Sequence, residues 1–137
     1  MGIESRKFIR LHIMLIIDYS SLEKPRIKGR TLSKDIALGG INIFITEKID
    51  QGAPLSLEIQ LPDESSSIRA KGNIMWQNEV SYRCKGGRRY FLTGIQFGEL
   101  APVDKVRLLN FIVTNLKDNS EIEERRVIDK IEEMRNI

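Results

Sequence analysis

Two arginines near the beginning of the chain, Arg6 and Arg10, are spaced so that both could hold one anion. A guanidinium matches phosphate oxygens bidentately, and it also matches the O6 and N7 acceptors of guanine. Residues four apart lie on one face of a segment, whether it is helical or extended. The spacing is weakly specific, because Arg26 and Arg30 repeat it in the same sequence. Alone, it is more typical of a solvated basic segment.

A carboxylate and a pair of glycines follow about 25 residues after Arg10, between Asp35 and Gly40. Asp35 could accept hydrogen bonds from the N1–H and N2–H₂ donors of guanine. Gly39 and Gly40 allow positive φ and close backbone approach, so their amides could face an anion. An ordinary tight β-turn is the alternative if the segment is considered without the arginines. Together with Arg6 and Arg10, this segment predicts a site for an anionic ligand that carries guanine bases.

Short strands are predicted to position these residues. Alternating or β-rich runs occupy residues 11–19, 28–36, 41–46, 55–61, 68–76 and 90–97, with Gly, Pro and polar turns between them. The fifth run alternates from Ile68 to Trp76, which predicts that its apolar residues and Trp76 share one face. Six or seven short strands at this spacing indicate a small antiparallel barrel or sandwich.

A helix is predicted after the last strand. Pro102 suits the first position of a helix, and apolar residues then recur at three- and four-residue steps. This row consists of Val106, Leu109, Val113 and Leu116. We expect the helix to cover one end of the barrel.

A second helix is predicted near the end of the chain, where Ser120 and Glu123 form a capping-box pattern. Its apolar row is narrow, so the helix could dock loosely, pair with another chain or fray. The row comprises Val127, Ile131 and Met134, with Ile122 and Ile128 at its margins.

Composition indicates one globular domain. The chain has 137 residues, of which 41% are hydrophobic and 30% charged, as is usual for a soluble protein. The longest apolar run, over 11–17, is too short to cross a bilayer, and we expect neither membrane insertion nor a signal peptide. Residues 118–137 carry seven acids against four bases, whereas the net charge is +3. The basic character therefore belongs to the body, which favours a local anionic partner.

Catalytic chemistry is not expected. His12, the single histidine, lies in the most apolar run and is interpreted as a core residue, and Cys84, the single cysteine, as an inert or surface thiol. One cysteine excludes an internal disulfide and fits a reducing cytoplasm. Nucleophile, phosphate-loop, metal-protease and dinucleotide motifs are absent from the sequence. We predict neither an enzyme nor a bound metal or cofactor.

The order of these signals resembles the PilZ domain family, bacterial receptors for the second messenger cyclic di-GMP. That family carries R-x-x-x-R near its start, matched by Arg6 and Arg10, and [D/N]-x-S-x-x-G, matched at its ends by Asp35 and Gly40. The phrases over 72–76 and 94–97 are also similar to the family, and the resemblance covers about residues 4–117.

The resemblance implies a six-stranded antiparallel, Greek-key-like split barrel with one or two C-terminal helices. The barrel would span residues 1–117, with a mobile arm over 1–10 and a packing helix over 102–117, and residues 118–137 would form a helical extension. The implied cyclic di-GMP contacts are Arg6, Arg10, Asp35, Ala37, Gly39 and Gly40, with Lys7 and Trp76 as additional candidates. On ligand binding the arm would fold onto the barrel and change the exposed surface.

One motif position departs from the family, since Ala37 stands where the family has serine. A hydrogen bond to a charged group contributes roughly 1.5–3 kcal/mol, and about 1.4 kcal/mol is tenfold in affinity. We therefore expect binding that is weaker by about one or two orders of magnitude but not abolished.

Two other functions remain open at this point. The first is an interaction adaptor of the PilZ type that kept the barrel and lost the ligand, which Ala37 supports. The second, less favoured, is a basic barrel that binds RNA or single-stranded DNA. Its candidate stacking groups are Phe8, Trp76, Tyr82, Tyr90 and Phe91.

A receptor without an output domain must signal through protein contacts or oligomerisation. We expect an unidentified downstream protein partner in the bacterial cytoplasm. The acidic final helix, over 120–137, is the candidate surface for that partner or for a homo-oligomer.

Overall fold

Six antiparallel strands close into a barrel in the computed structural model of the chain, which describes residues 9–24, 26–62, 66–84 and 86–135. Its elements are β1 (Ile16–Ser21), β2 (Lys28–Ala37), β3 (Gly40–Ile45), β4 (Pro54–Gln60), β5 (Ile68–Glu79), β6 (Phe91–Phe97), α1 (Pro102–Thr114) and α2 (Glu124–Arg135). Around the barrel the strands follow the order β1-β2-β3-β6-β5-β4, and β4 pairs with β1. The predicted six-stranded barrel with C-terminal helices is confirmed.

Apolar and polar residues alternate along the strands, and the apolar ones fill the interior of the barrel. In β4, Leu55, Leu57 and Ile59 have no exposed surface, whereas Ser56 and Glu58 between them are half-buried. Side chains of successive strand residues point to opposite faces, so one apolar residue in two is enough to build the core. The outer face is left free for polar residues and for packing of the helices.

A β-bulge places Trp76 on the outer face of the barrel. Ile74 pairs with Ile95, but Trp76, two residues further along β5, pairs with Gly94, only one residue away along β6. The extra residue, Met75, reverses the alternation from that point. Trp76 is 39% exposed, so the prediction that it shares the inward face with Ile68 and Ile74 was wrong.

The first strand is regular over a shorter range than the predicted 11–19. Leu11 forms an isolated bridge with Ile36 of β2, and regular pairing begins only at β1. Between them the buried Ser33 hydroxyl replaces ladder bonds. This hydroxyl accepts a hydrogen bond from the Leu15 amide (2.9 Å), and it donates one to the main-chain carbonyl two residues before Leu15 (2.6 Å). The segment before β1 therefore stays attached to β2.

α1 covers one end of the barrel, but with a different face from the one predicted. Leu108 and Ile112 are buried and join the barrel core, whereas Val106, Leu109 and Val113 are 56%, 43% and 58% exposed. The prediction was wrong for these three residues, whereas Leu116, just after the helix, packs against the core. The error arose because the helix is apolar on two sides, and a three- and four-residue spacing fits both. Within the residues described, no helix combines the length and the apolar character needed to cross a membrane.

α2 docks on the outer face of the barrel. Val127, Ile128 and Ile131 are buried, and they form a second apolar cluster with residues that include Leu32 of β2 and Phe44 of β3. Ile128, expected at the margin of the apolar row, lies at its centre. The row is thus covered within one chain, so pairing with another chain would have to use the exposed, charged side of the helix.

α2 begins later than the capping-box pattern predicted. The helix starts at Glu124, and the carbonyl of Glu123 accepts its first hydrogen bonds. Ser120 instead belongs to a tight turn, in which its amide donates to the carbonyl of Asp118 (2.9 Å). The pattern failed because the turn already uses the backbone of the residue expected to cap the helix.

Polar contacts fasten α2 to the loop that joins β5 and β6. Glu132 accepts hydrogen bonds from Arg88 (2.8 and 2.9 Å) and from the Tyr90 hydroxyl. Burial opposes the ionisation of Glu132, but the bonds from Tyr90 and Arg88 outweigh it and hold the pKa of this carboxyl below its ordinary value. Burial and the same carboxylate raise the pKa of Tyr90.

These contacts predict an acid-sensitive attachment of α2. A carboxyl whose pKa is lowered by folding stabilises the fold above its unfolded pKa, and that contribution is lost as the pH falls through the folded pKa. Glu132→Gln should lower the free energy of unfolding at pH 7 by about 1–3 kcal/mol, and the deficit should shrink below about pH 4.5. Urea denaturation at pH 7, 5 and 3.5 measures both effects.

Glu133→Gln is the matched control, because Glu133 is exposed and pairs with the exposed Lys130 at 3.6 Å. Its effect should stay within about 0.5 kcal/mol at each pH. A deficit for Glu132→Gln that is constant from pH 7 to 3.5 would contradict the assigned role of the carboxylate.

Candidate functional site

Arg10 and Asp35 come together on the outer face of the barrel. A guanidinium nitrogen of Arg10 lies 3.5 Å from Oδ1 of Asp35, and the side chains are 30% and 5% exposed. The same carboxylate oxygen accepts a hydrogen bond from the Asn42 side-chain amide at 2.8 Å. A nearly buried carboxylate is thus held by a donor within the sheet and by a partly exposed cation.

The hairpin of β2 and β3 sets this arrangement. Ala37 pairs with Gly40 across a two-residue turn, which brings Asp35 opposite Asn42. Asn42 was missed by the sequence analysis, although a signal was present. It is the one polar residue in the run from Ile41 to Ile45, and a two-residue turn after Ala37 would have placed it across from Asp35.

A row of four outward-facing residues crosses four neighbouring strands. Asp35 pairs with Asn42, Asn42 with Gly94, and Gly94 with Trp76. A Cβ on Gly94 would overlap the indole ring of Trp76, so the ring lies directly on the glycine backbone. At a strand spacing of about 4.8 Å the row extends about 14 Å across the barrel surface. It places an exposed aromatic ring at one end and the carboxylate at the other.

A second row lies beside the first. Ala37 pairs with Gly40, Gly40 with Gln96, and Gln96 with Asn73. A Cβ on Gly40 would overlap the carbonyl of Ile95, so close approach between β3 and β6 requires glycine there. The two rows with Arg10 are called the outer wall below.

Gly39 and Gly40 do not use the positive φ that glycine allows. Among the described glycines, positive φ values occur at Gly52 and Gly87. The carbonyl of Gly39 accepts a hydrogen bond from the amide of Phe97 at 2.9 Å. The pair serves strand pairing because the hairpin turn is tight enough without a left-handed residue.

The outer wall and its hairpin therefore collect most of the predicted site residues. Arg10, Asp35, Ala37, Gly40 and Trp76 lie on the wall, and Gly39 is in its hairpin turn. Arg6 and Lys7 lie outside the described residues. Asn42, Gly94, Gln96 and Asn73 are wall residues that the sequence analysis did not select.

The model of the PilZ domain matches residues 4–114, which include every residue of the outer wall. This chain belongs to the PilZ domain family. A search of the curated proteins found no match. The predicted family is confirmed by a match that covers most of the chain.

Solved structures with the same fold include PilZ proteins. The PilZ domain with c-di-GMP of YcgR from Escherichia coli is 13% identical, with a TM-score of 0.63, and the match covers 94% of this chain and 98% of that one. Bacillus subtilis MotI/DgrA, an inhibitor of motility, is 22% identical with a TM-score of 0.63, covering 82% and 51%. The K. pneumonia MrkH–c-di-GMP complex is 14% identical with a TM-score of 0.62, covering 82% and 52%. This PilZ domain thus spans about half the length of the MotI/DgrA and MrkH chains.

The groups on the outer wall suit recognition of a ligand. An exposed indole can stack on a planar base, the amides of Asn73 and Gln96 can donate and accept hydrogen bonds, and Arg10 can pair with a phosphate. Cys84 is buried, and its thiol faces the carbonyl of Arg88. Among the described residues, no group of three or more His, Cys, Asp and Glu side chains is arranged to hold a metal ion.

A separate cavity at the barrel end opposite α1 is less suited to an anion. Its volume is about 550 Å³. Three carboxylates line it, from Glu23, Glu47 and Asp50, against the two lysines Lys24 and Lys48. Burial, followed by the charge and hydrogen bond of Glu47, raises the pKa of the neighbouring Tyr19 to about 12. The excess of negative charge disfavours a phosphate there.

The contact between Gly94 and Trp76 gives the site a direct optical test. Trp76 is the single tryptophan of the chain, so the tryptophan emission reports on the outer wall alone. Gly94→Ala should displace the indole and shift the emission maximum toward that of solvated tryptophan. Gly86→Ala is the control, since a Cβ there meets no atom within 4 Å and φ is not positive. Identical emission spectra for wild type and Gly94→Ala would contradict the packing of the ring on Gly94.

Proposed function

We propose that this chain is a cyclic di-GMP receptor whose ligand binds on the outer wall. The observation that carries the proposal is a row of outward-facing residues on a barrel of the PilZ family, with the Arg10–Asp35 pair at one end and an exposed Trp76 at the other. The YcgR and MrkH structures named above, which share the fold, contain c-di-GMP. The proposed role is binding and not catalysis.

Each group of the wall has a separate role in the proposal. Arg10 pairs with a phosphate or with the O6 and N7 edge of a guanine, and Arg6, with Lys7 as an additional candidate, contacts the same ligand. Asp35 accepts hydrogen bonds from guanine N1–H and N2–H₂, and Asn42 orients the carboxylate. Trp76 stacks on a base. The backbone at Gly39 and Gly40 keeps the surface open to the ligand.

Ala37 weakens this site without removing it. Leu11 and Ile36 form an antiparallel bridge. Arg10 precedes Leu11 and Ala37 follows Ile36, so the two lie beside each other on the same face. A hydroxyl at residue 37 would therefore lie next to the arginine and the ligand phosphate. The arginine, the carboxylate and the indole do not depend on it.

An adaptor that binds no ligand is the second candidate. Ala37 favours it, and so does the Arg10–Asp35 pair, in which each charge already has a partner. Nucleic-acid binding is less favoured. Tyr90 and Phe91, two of the five predicted stacking groups, are buried at 1% and 7% exposure, so that part of the prediction was wrong.

Titration calorimetry with cyclic di-GMP tests the receptor function. Arg10→Ala should weaken binding by at least about tenfold, because it removes a charge-assisted contact. Ala37→Ser should tighten binding by about tenfold or more for the converse reason. Arg26→Ala, which removes an exposed arginine away from the wall, is the matched control and should leave the dissociation constant unchanged.

Two results would overturn this assignment. One is a wild-type chain that binds no cyclic di-GMP at millimolar concentration while Ala37→Ser also fails to bind, which would favour the adaptor. The other is a dissociation constant that responds equally to Arg10→Ala and Arg26→Ala, together with a steep dependence on salt, which would favour non-specific anion binding.

In this proposal, the arm over residues 1–10 passes the ligand signal on to a downstream protein. Ligand held by Arg6 and Arg10 would favour the arm's ordered state, and the changed surface would be recognised by a downstream protein. Amide hydrogen exchange over residues 1–11 should therefore slow when cyclic di-GMP is added to the wild type, but not when it is added to Arg10→Ala. Exchange that is unchanged at saturating ligand would exclude the arm as the output element.

A further inference from the structure

Asn119, in the linker between α1 and α2, clamps the backbone on both sides of Leu11. Its side-chain nitrogen donates to the carbonyl of Arg10 at 2.9 Å, and its side-chain oxygen accepts from the amide of His12 at 2.8 Å. The partners lie 109 and 107 residues away along the chain. The side-chain amide of Asn119 thus bonds the backbone carbonyl of Arg10 and the backbone amide of His12. A neighbouring β-strand would bond the same two groups.

The clamp replaces a strand that is missing at this point. In an antiparallel sheet, the backbone groups of successive residues point alternately to the two neighbours. Leu11 bonds to Ile36 of β2 with both its amide (2.8 Å) and its carbonyl (2.9 Å). On the other side β4 pairs with β1 from Ile16 onward, so no strand in the described part of the chain reaches the carbonyl of Arg10 and the amide of His12. Asn119 takes that place.

The clamp fixes the main chain from which the Arg10 side chain extends. With the Arg10 carbonyl and both polar groups of Leu11 bonded, the Cα of Arg10 is held beside β2. Its guanidinium then lies within reach of Asp35. A side chain that is already in place loses less conformational entropy when it binds a ligand.

The linker that carries Asn119 is itself held at both ends. Asp118 has a φ of 58°, and the Ser120 amide closes a tight turn on the carbonyl of Asp118. Further along, Lys34 pairs with Glu121 at 3.1 Å. The linker follows residue 114, where the PilZ family match ends, so the clamp is supplied by a part of the chain outside the matched domain.

We propose that Asn119 is a positioning residue for Arg10, and that the α1–α2 linker is thereby coupled to occupancy of the outer wall. The coupling to occupancy rests on the proposed receptor function, whereas the clamp itself does not. Because coupling between two sites is reciprocal, ligand bound by Arg10 should in turn stabilise the linker. The C-terminal extension then responds to ligand along with the N-terminal arm.

Asn119→Ala and Asn119→Asp separate the two bonds of the clamp. Alanine removes both, whereas aspartate keeps an acceptor for the His12 amide and loses the donor to Arg10. Both variants should weaken cyclic di-GMP binding by about tenfold, since a net hydrogen bond has about this effect on an equilibrium. Asn110→Ala, which changes an exposed asparagine of α1, is the control and should bind like the wild type.

Amide exchange without ligand tests the clamp independently of binding. In Asn119→Ala, the His12 amide should exchange at least about tenfold faster, whereas the Ser33 amide, bonded to Leu15, should keep its rate. In Asn119→Asp the His12 amide should stay protected. In the wild type, ligand should slow exchange of the Ser120 amide.

The outcomes distinguish this proposal from the receptor function. Faster His12 exchange with weaker binding supports the positioning role. Faster exchange with an unchanged dissociation constant overturns it, as does unchanged exchange in Asn119→Ala. If the wild type binds no cyclic di-GMP, faster His12 exchange still supports the clamp, and the receptor function alone fails. A lower melting temperature with an unchanged dissociation constant would mark Asn119 as merely structural.

Discussion

The attachment of residues 10–12 to β2 is the constraint on which the site depends. Leu11 supplies the bridge to Ile36, and this bridge brings a partly exposed arginine to a nearly buried carboxylate. Asp35 would be costly to bury alone, and its bonds to Asn42 and Arg10 offset that cost. A ligand that engages Arg10 must therefore compete with, or add to, an ion pair that already exists. In the proposed receptor, ligand binding would therefore depend on the position of the N-terminal segment.

The closed barrel supplies a rigid surface, and its irregularities give that surface its chemistry. A bulge in β2 lies between Ser33 and Asp35, and a bulge in β5 precedes Trp76. Bulges change which face a side chain occupies and often lie beside functional sites. Glycine at residues 40 and 94 then permits close contacts within the wall, Gly40 with the backbone of β6 and Gly94 with the indole of Trp76.

The C-terminal extension is part of the same structure and not a free appendage. α2 buries its apolar residues in a cluster with Phe44, and Glu132 fastens it to the β5–β6 loop. Between the helices, Asn119 contacts the backbone of Arg10. The segment around Arg10 and the α1–α2 linker therefore meet beside the outer wall. α1 leaves Val106 and Val113 exposed on the side that faces away from the barrel.

The sequence by itself determined a strand-rich domain followed by helices, because alternation and turn residues are local signals. The choice of a barrel over a sandwich was predicted from the resemblance of the motifs to the PilZ family, which also supported a joint site of Arg10 and the Asp35 turn. Tertiary structure decided which side of α1 is buried, since both sides are apolar and only the barrel end selects between them. It also decided the outward face of Trp76, because a bulge depends on register with β6 and not on local sequence. Asn119 lay furthest from prediction, since its role arises from a backbone more than a hundred residues away.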